Sequence, residues 1–167
     1  MFSESARMSS AAEARFRVQS PNSTGRATTV LALDAGAEAT VRRLAEGDWR
    51  HTTFLTSLVS DPAASEPPID GWVTDIAGRR TRVRDEVNAA DQVITIATAG
   101  GDAQAAATIG RACSLKRVAT TALIVGAASA SDRALSTTLA QLRPWSLMVV
   151  IADHDDYVMA MMAALRA

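Results

Sequence analysis

An α/β fold is predicted, a three-layer, doubly wound and mostly parallel sheet of five strands, and three observations predict it. Short runs of β-branched and apolar residues recur along the chain, as at Thr28–Leu33, Val93–Ala97 and Val118–Val125. They show no polar alternation, which is the pattern of strands buried on both faces. Each run stops at a glycine or an acidic residue, and the next segment has apolar residues at helical spacing. The composition suits one domain: 167 residues, 48% hydrophobic and 21% charged, enough for a single well-buried core.

In chain order, residues 1–26 are rich in Ser, Ala and Arg and close on Pro21-Asn22-Ser23-Thr24-Gly25; a mobile tail is expected there. The domain proper spans 27–167. Thr28–Leu33 is the first strand and turns at Asp34-Ala35-Gly36. Ala37, Val41, Leu44 and Ala45 then share a helical face opposite Arg42, Arg43 and Glu46 until Gly47 stops the helix. Thr53–Val59 is the second strand, reached by a short connection that implies a right-handed crossover to a parallel neighbour. Residues 62–78 hold Pro62, Pro67, Pro68, Gly71 and Gly78, which exclude a helix, so a surface excursion is expected. Within it Trp72–Asp75 forms either a short extra strand or a pin for the loop. Arg79–Asn88 is predicted as a helix. Its Arg79, Arg80, Arg82 and Arg84 suit a phosphate clamp or a solvated face beside Asp85 and Glu86, and the solvated face is preferred because charge runs usually lie at the surface.

Val93–Ala97 is the central strand. It ends at Ala99-Gly100-Gly101, with Asp102 as the expected N-cap of a helix whose small face is Ala103, Ala106, Ala107, Ile109 and Gly110. Val118–Val125 follows as a strand ending at Gly126. A helix capped by Ser129 or Ser131 then carries the stripe Ala134, Leu135, Thr138, Leu139 and Leu142 before Pro144. Ser146–Ala152 is the last strand, and Asp153-His154-Asp155-Asp156 leads into the final helix. Five strands alternating with helices give a Rossmann-like layer order.

In such a sheet the strand carboxyl ends and the helix amino ends share one edge, where α/β proteins bind ligands. The candidate ligand-binding residues there are Asp34, Gly36, Thr98, Gly100, Gly101, Asp102 and Gly126. A switch point between the first and third strands is the expected crevice. The ligand class this favours is a small molecule, a nucleotide or another anionic metabolite, held by amide groups at the helix start. A competing reading is a Mg²⁺-dependent phosphoryl-transfer or hydrolytic enzyme using Asp34 and Asp153, with Asp61 as a third carboxylate, because Mg²⁺ takes one or two carboxylates together with water. Helix capping explains Asp155 and Asp156 without any metal, so no metal site is assigned. His154 is the one attractive general acid or base near that edge, beside Asp34. Cys113 lies on an Ala-rich helical face and is expected to be a buried, inert thiol.

Ala39-Thr-Val-Arg-Arg-Leu-Ala-Glu-Gly-Asp48 and Phe54-Leu-Thr-Ser-Leu58, following a strand and an acidic turn, resemble the opening βαβ unit of tubulin-like cell-division GTPases. Ala99-Gly100-Gly101-Asp102-Ala103 occupies the place of that family's phosphate-binding glycine loop. The resemblance covers two short segments, and the glycine-threonine-glycine signature is not intact. It implies a Rossmann-like layer order, which many unrelated functions use. There is no Gly-Lys-Ser/Thr loop and no complete G-x-G-x-x-G, so no cofactor is specified.

A formal charge of -1 gives no field to gather nucleic acid or an anionic membrane. A single cysteine, no secretory segment and no apolar run of membrane-spanning length make a cytoplasmic protein the simplest expectation. Met159, Met161 and Met162 fall on more than one side of the last helix, so a homodimer is expected, and a non-catalytic homo-oligomeric interaction module is the third functional reading.

Overall fold

The computed structural model describes residues 25–60, 70–165 and 167. The tail assigned to residues 1–26 therefore lies almost wholly outside the described residues, as do Asp61 and the first part of the 62–78 excursion. The elements are β1 (Thr28–Ala32), α1 (Ala35–Leu44), β2 (Thr52–Ser60), β3 (Gly71–Asp75), β4 (Arg80–Arg82), α2 (Val83–Ala89), β5 (Gln92–Thr98), α3 (Ala105–Lys116), β6 (Ala119–Val125), α4 (Asp132–Leu142), β7 (Met148–Ala152) and α5 (Asp155–Ala164). Short 3-10 turns at Ala127–Ser129 and Arg143–Trp145 bracket α4.

The strands form one mixed sheet in the order β4-β3-β2-β1-β5-β6-β7. Pairing is parallel from β2 to β7, and antiparallel at β2–β3 and β3–β4. Among the described residues the sheet thus has seven strands rather than the expected five. The extra pair comes from the excursion: Gly71–Asp75 runs back along β2, and Arg80–Arg82 pairs with it in turn. The connecting turn is held by the Asp75 carboxylate, which accepts from the amides of Ala77 and Arg79, each at 2.9 Å. Gly78 supplies the positive φ of 85° that this turn requires. The predicted helix at Arg79 consequently begins only at Val83, because Arg80–Arg82 is spent on strand pairing. Register sets Arg82 opposite Trp72, and the Arg80 and Arg82 guanidiniums lie 5.3 and 4.3 Å from the indole centroid. Asp70 pairs with Arg82 and Arg84, and Asp75 with Arg79. The arginine cluster is an ion-paired, aromatic-stacked sheet margin.

Helices cover both faces. Along β1 the side chains alternate: Val30 and Ala32 point to the layer of α1 and α5, with Val41, Leu44, Val158 and Met162; Leu31 and Leu33 point to the layer of α2, α3 and α4, with Val87, Ile109 and Leu142. β1 is buried throughout and β5 nearly so, which is why those runs lack polar alternation. Gly110 lets α3 approach the turn after α4, since a Cβ there would overlap Trp145. Among the described residues no helix is long and apolar enough to cross a membrane.

Candidate functional site

The chain leaves β1 toward β2 and later returns on the other side as β5, so the reversal of direction falls between β1 and β5. Numbered among themselves, the five parallel strands have the order 2-1-3-4-5, whose topological switch point falls at this boundary. Their tips are tied: the Leu33 amide donates to the Ile96 carbonyl at 2.8 Å.

Asp34 sits at the tip of β1 as the N-cap of α1. Its Oδ1 accepts from the Ala37 amide at 2.9 Å and from the Thr98 hydroxyl at 2.8 Å, and its Oδ2 accepts from the Thr98 amide at 2.7 Å. One carboxylate therefore caps a helix and staples the ends of β1 and β5. Glycines make room for it. A Cβ at Gly101 would stand 2.6 Å from Asp34 Oδ2 and 3.0 Å from the Thr98 carbonyl, and one at Gly36 would overlap the Thr98 hydroxyl. The positive end of α1, where a bound phosphate would gain most, thus holds the protein's own anion.

The glycine loop after β5 is equally engaged. Gly100 donates to the Thr138 hydroxyl at 2.9 Å, Gly101 to the Thr98 carbonyl at 2.8 Å, Ala103 to Gln141 Oε1 at 2.9 Å and Gln104 to Asp102 Oδ1 at 3.0 Å. Asp102 braces the loop ahead of the helix instead of capping it: α3 starts at Ala105, and its N-cap, Gln104, makes no side-chain cap bond. A phosphate in this loop would have to displace internal bonds.

The structure thus brings Asp34, Gly36, Thr98 and Gly101 together. Gly100 and Gly126 flank them, both exposed and both at positive φ; a Cβ at Gly126 would lie 3.8 Å from Thr98 Cγ2. Asp153 and His154 do not join the group. They follow β7, three strand positions from β1, a separation of roughly 14 Å at the usual strand spacing and far beyond what one cation can bridge. Among the described residues no group of three or more His, Cys, Asp or Glu could hold a metal. His154 is exposed at the N-cap of α5 with no side-chain cap bond, and Asp155 pairs with Arg43 at 2.8 Å. Cys113 is buried, and desolvation pushes its thiol pKa up, against a smaller opposing effect from its hydrogen bond with Thr120.

Sequence reasoning did not find Thr138 and Gln141, which take the loop amides. The one available signal was a threonine inside the otherwise apolar stripe of α4; it proves to be fully buried.

Two margins of the molecule also differ. The carboxyl edge carries Asp34, Asp102, Asp132, Asp153, Asp155 and Asp156, while the amino-edge corner below β6 and β7 carries Lys116, Arg117 and Arg143. That corner contains a hollow of about 440 Å³ lined by Ser114, Arg117, Thr120, Trp145 and Leu147, among others. At the β7 margin, Leu147 is 85% exposed, Met148 38% and Ile151 42%, and on the adjoining α5 Tyr157 and Met159 are also exposed. No protein-family model matches the chain, and no curated protein matches it.

Proposed function

We propose that the chain is a non-catalytic, homo-oligomeric interaction module on a Rossmann-like core, and that copies meet along β7. The observation that carries this reading is the contrast between the sheet's two margins. β4 is a three-residue strand whose arginines are exposed or half-buried, a common defence against edge-to-edge pairing. β7 is five residues of Met-Val-Val-Ile-Ala with no charge, with no strand paired on its outer side among the described residues, and it is led in by an almost fully exposed Leu147. An unprotected apolar edge of that kind seeks another strand. The internally engaged amides at the switch point support the same conclusion, since they offer little to a catalytic or phosphate-binding role. Light scattering over a range of protein concentrations tests the proposal. A mass of twice the 17.6 kDa chain, reduced to one by Ile151→Lys or Leu147→Lys with the circular dichroism unchanged, is the expected result; a single-chain mass at every concentration would rule it out.

A second reading, a small ligand such as a nucleotide or other anionic metabolite at the switch-point edge, is supported by one feature. Gly36, Gly100 and Gly126 are exposed around Thr98, leaving a floor almost free of side chains. Thermal-shift screening with nucleotides and coenzymes tests it. A rise in Tm that Gly126→Val abolishes would favour this reading, and no rise with any of them would remove it.

A further inference from the structure

We infer that the two copies form a closed antiparallel pair, β7 against β7 of the partner subunit, about a two-fold axis at Val150; this rests on the assembly reading above. A two-fold axis normal to the sheet makes a single edge complementary to itself, because each outward amide of one strand meets the equivalent carbonyl of the other. Centring the axis on Val150 pairs all five residues of β7. Met148 then lies opposite Ala152 of the partner subunit, and Val149 opposite Ile151 of the partner subunit. Val149 packs on the α2–α4 layer and Val150 on the α1–α5 layer, so by alternation Ile151 shares the first face and Met148 the second. Pairing therefore shields half-exposed apolar groups on both faces at once.

Charge selects the antiparallel sense. The amino end of β7 adjoins Arg117 and Arg143, and its carboxyl end runs into Asp153 and Asp156, Asp155 being paired with Arg43. Antiparallel pairing sets each basic end beside the partner's acidic end, whereas parallel pairing would set like beside like. Propagation into a filament would need β7 to pair with β4 of the next copy, and that strand is short and carries Arg80 and Arg82 stacked on Trp72. The assembly consequently closes at two copies, with a continuous sheet and the two switch-point edges facing opposite ways.

Cysteine cross-linking of the full chain decides the register, since a residue on the two-fold axis meets its own copy. Cys113 is buried and does not compete. Under mild oxidation Val150→Cys is expected to convert to a covalent dimer at least about tenfold faster than Met148→Cys, whose opposite number is Ala152. Arg143→Glu is expected to weaken the dimer by about threefold to fivefold at low salt, an effect that fades at about 1 M salt. If light scattering shows a dimer but Met148→Cys cross-links as fast as Val150→Cys, the antiparallel register is wrong while the assembly reading stands. If Arg143→Glu leaves the low-salt affinity unchanged, the charge argument falls. A wild-type chain that stays single overturns both inference and reading.

Discussion

Replacing Asp34 separates a structural carboxylate from a catalytic one. The side chain accepts three hydrogen bonds that link the first turn of α1 to the end of β5. Removing an N-cap acceptor costs about 1 kcal/mol, and each further hydrogen bond to a charged group adds about 1.5 kcal/mol at the lower end of its range. Because Asp34 is only half-buried, water can replace part of the loss, and Asp34→Ala is expected to destabilise by about 3 kcal/mol. For a chain of this size that lowers Tm by roughly 6–12 °C. Asp34→Asn keeps the shape but directs an NH₂ group at the Thr98 amide, donor against donor, and is expected to lose about 2 kcal/mol. Urea unfolding followed by circular dichroism measures both. A carboxylate kept only to bind a ligand or metal would behave oppositely, with Asn neutral or stabilising in the empty protein. Two variants within about 0.5 kcal/mol of the wild type would refute the staple.

Other perturbations address the packing and the buried thiol. Gly110→Ala places a methyl group into Trp145 and is expected to cost about 2–3 kcal/mol in unfolding free energy despite the better helix propensity of Ala. Thr138→Val removes the acceptor of the Gly100 amide; because Gly100 is exposed and water can step in, a loss of only about 1 kcal/mol is expected in the same assay. For Cys113 the folded-state pKa is raised above its ordinary value by burial, so the folded state holds its proton more tightly than the unfolded one. Its contribution is therefore complete below the unfolded thiol pKa of about 8.5 and is lost as pH climbs through the folded value. Between pH 7 and 10 the urea midpoint should fall more for the wild type than for Cys113→Ala, and equal slopes would contradict the burial argument.

The strands and helices that read clearly from sequence are those whose signal is local. Val93–Ala97 and Val118–Val125 are runs of β-branched and apolar residues without a charge, and Asp34 followed by Ala37, Val41 and Leu44 combines a cap with a helical face; β5, β6 and α1 follow these signals closely. Gly71–Arg82 was half legible. Trp72–Asp75 suited a strand, but Arg79–Arg82 has no local feature that rejects a helix, and only pairing with β3, with the indole beneath the guanidiniums, makes it extended. At the candidate site the acid at the tip of β1 and the glycines after β5 stood out in the sequence. What Asp34 does could not be read there, because its partner Thr98 is 64 residues away, and the acceptor of the Gly100 amide is 38 residues away on another helix.

By itself, then, the amino-acid order determined most of the alternation of strands and helices, the caps at Asp34 and Ser131, and the cluster of acids and glycines at strand ends, because those depend on groups within about four residues of one another. Only the folded chain decided that the excursion adds two strands, that the switch-point amides close on internal acceptors, and that one sheet margin is armoured with arginine while the other, among the described residues, is apolar and unpaired. Each of those outcomes depends on which distant segments come into register, and hydrophobic periodicity, identical for many registers, carries no information about that choice.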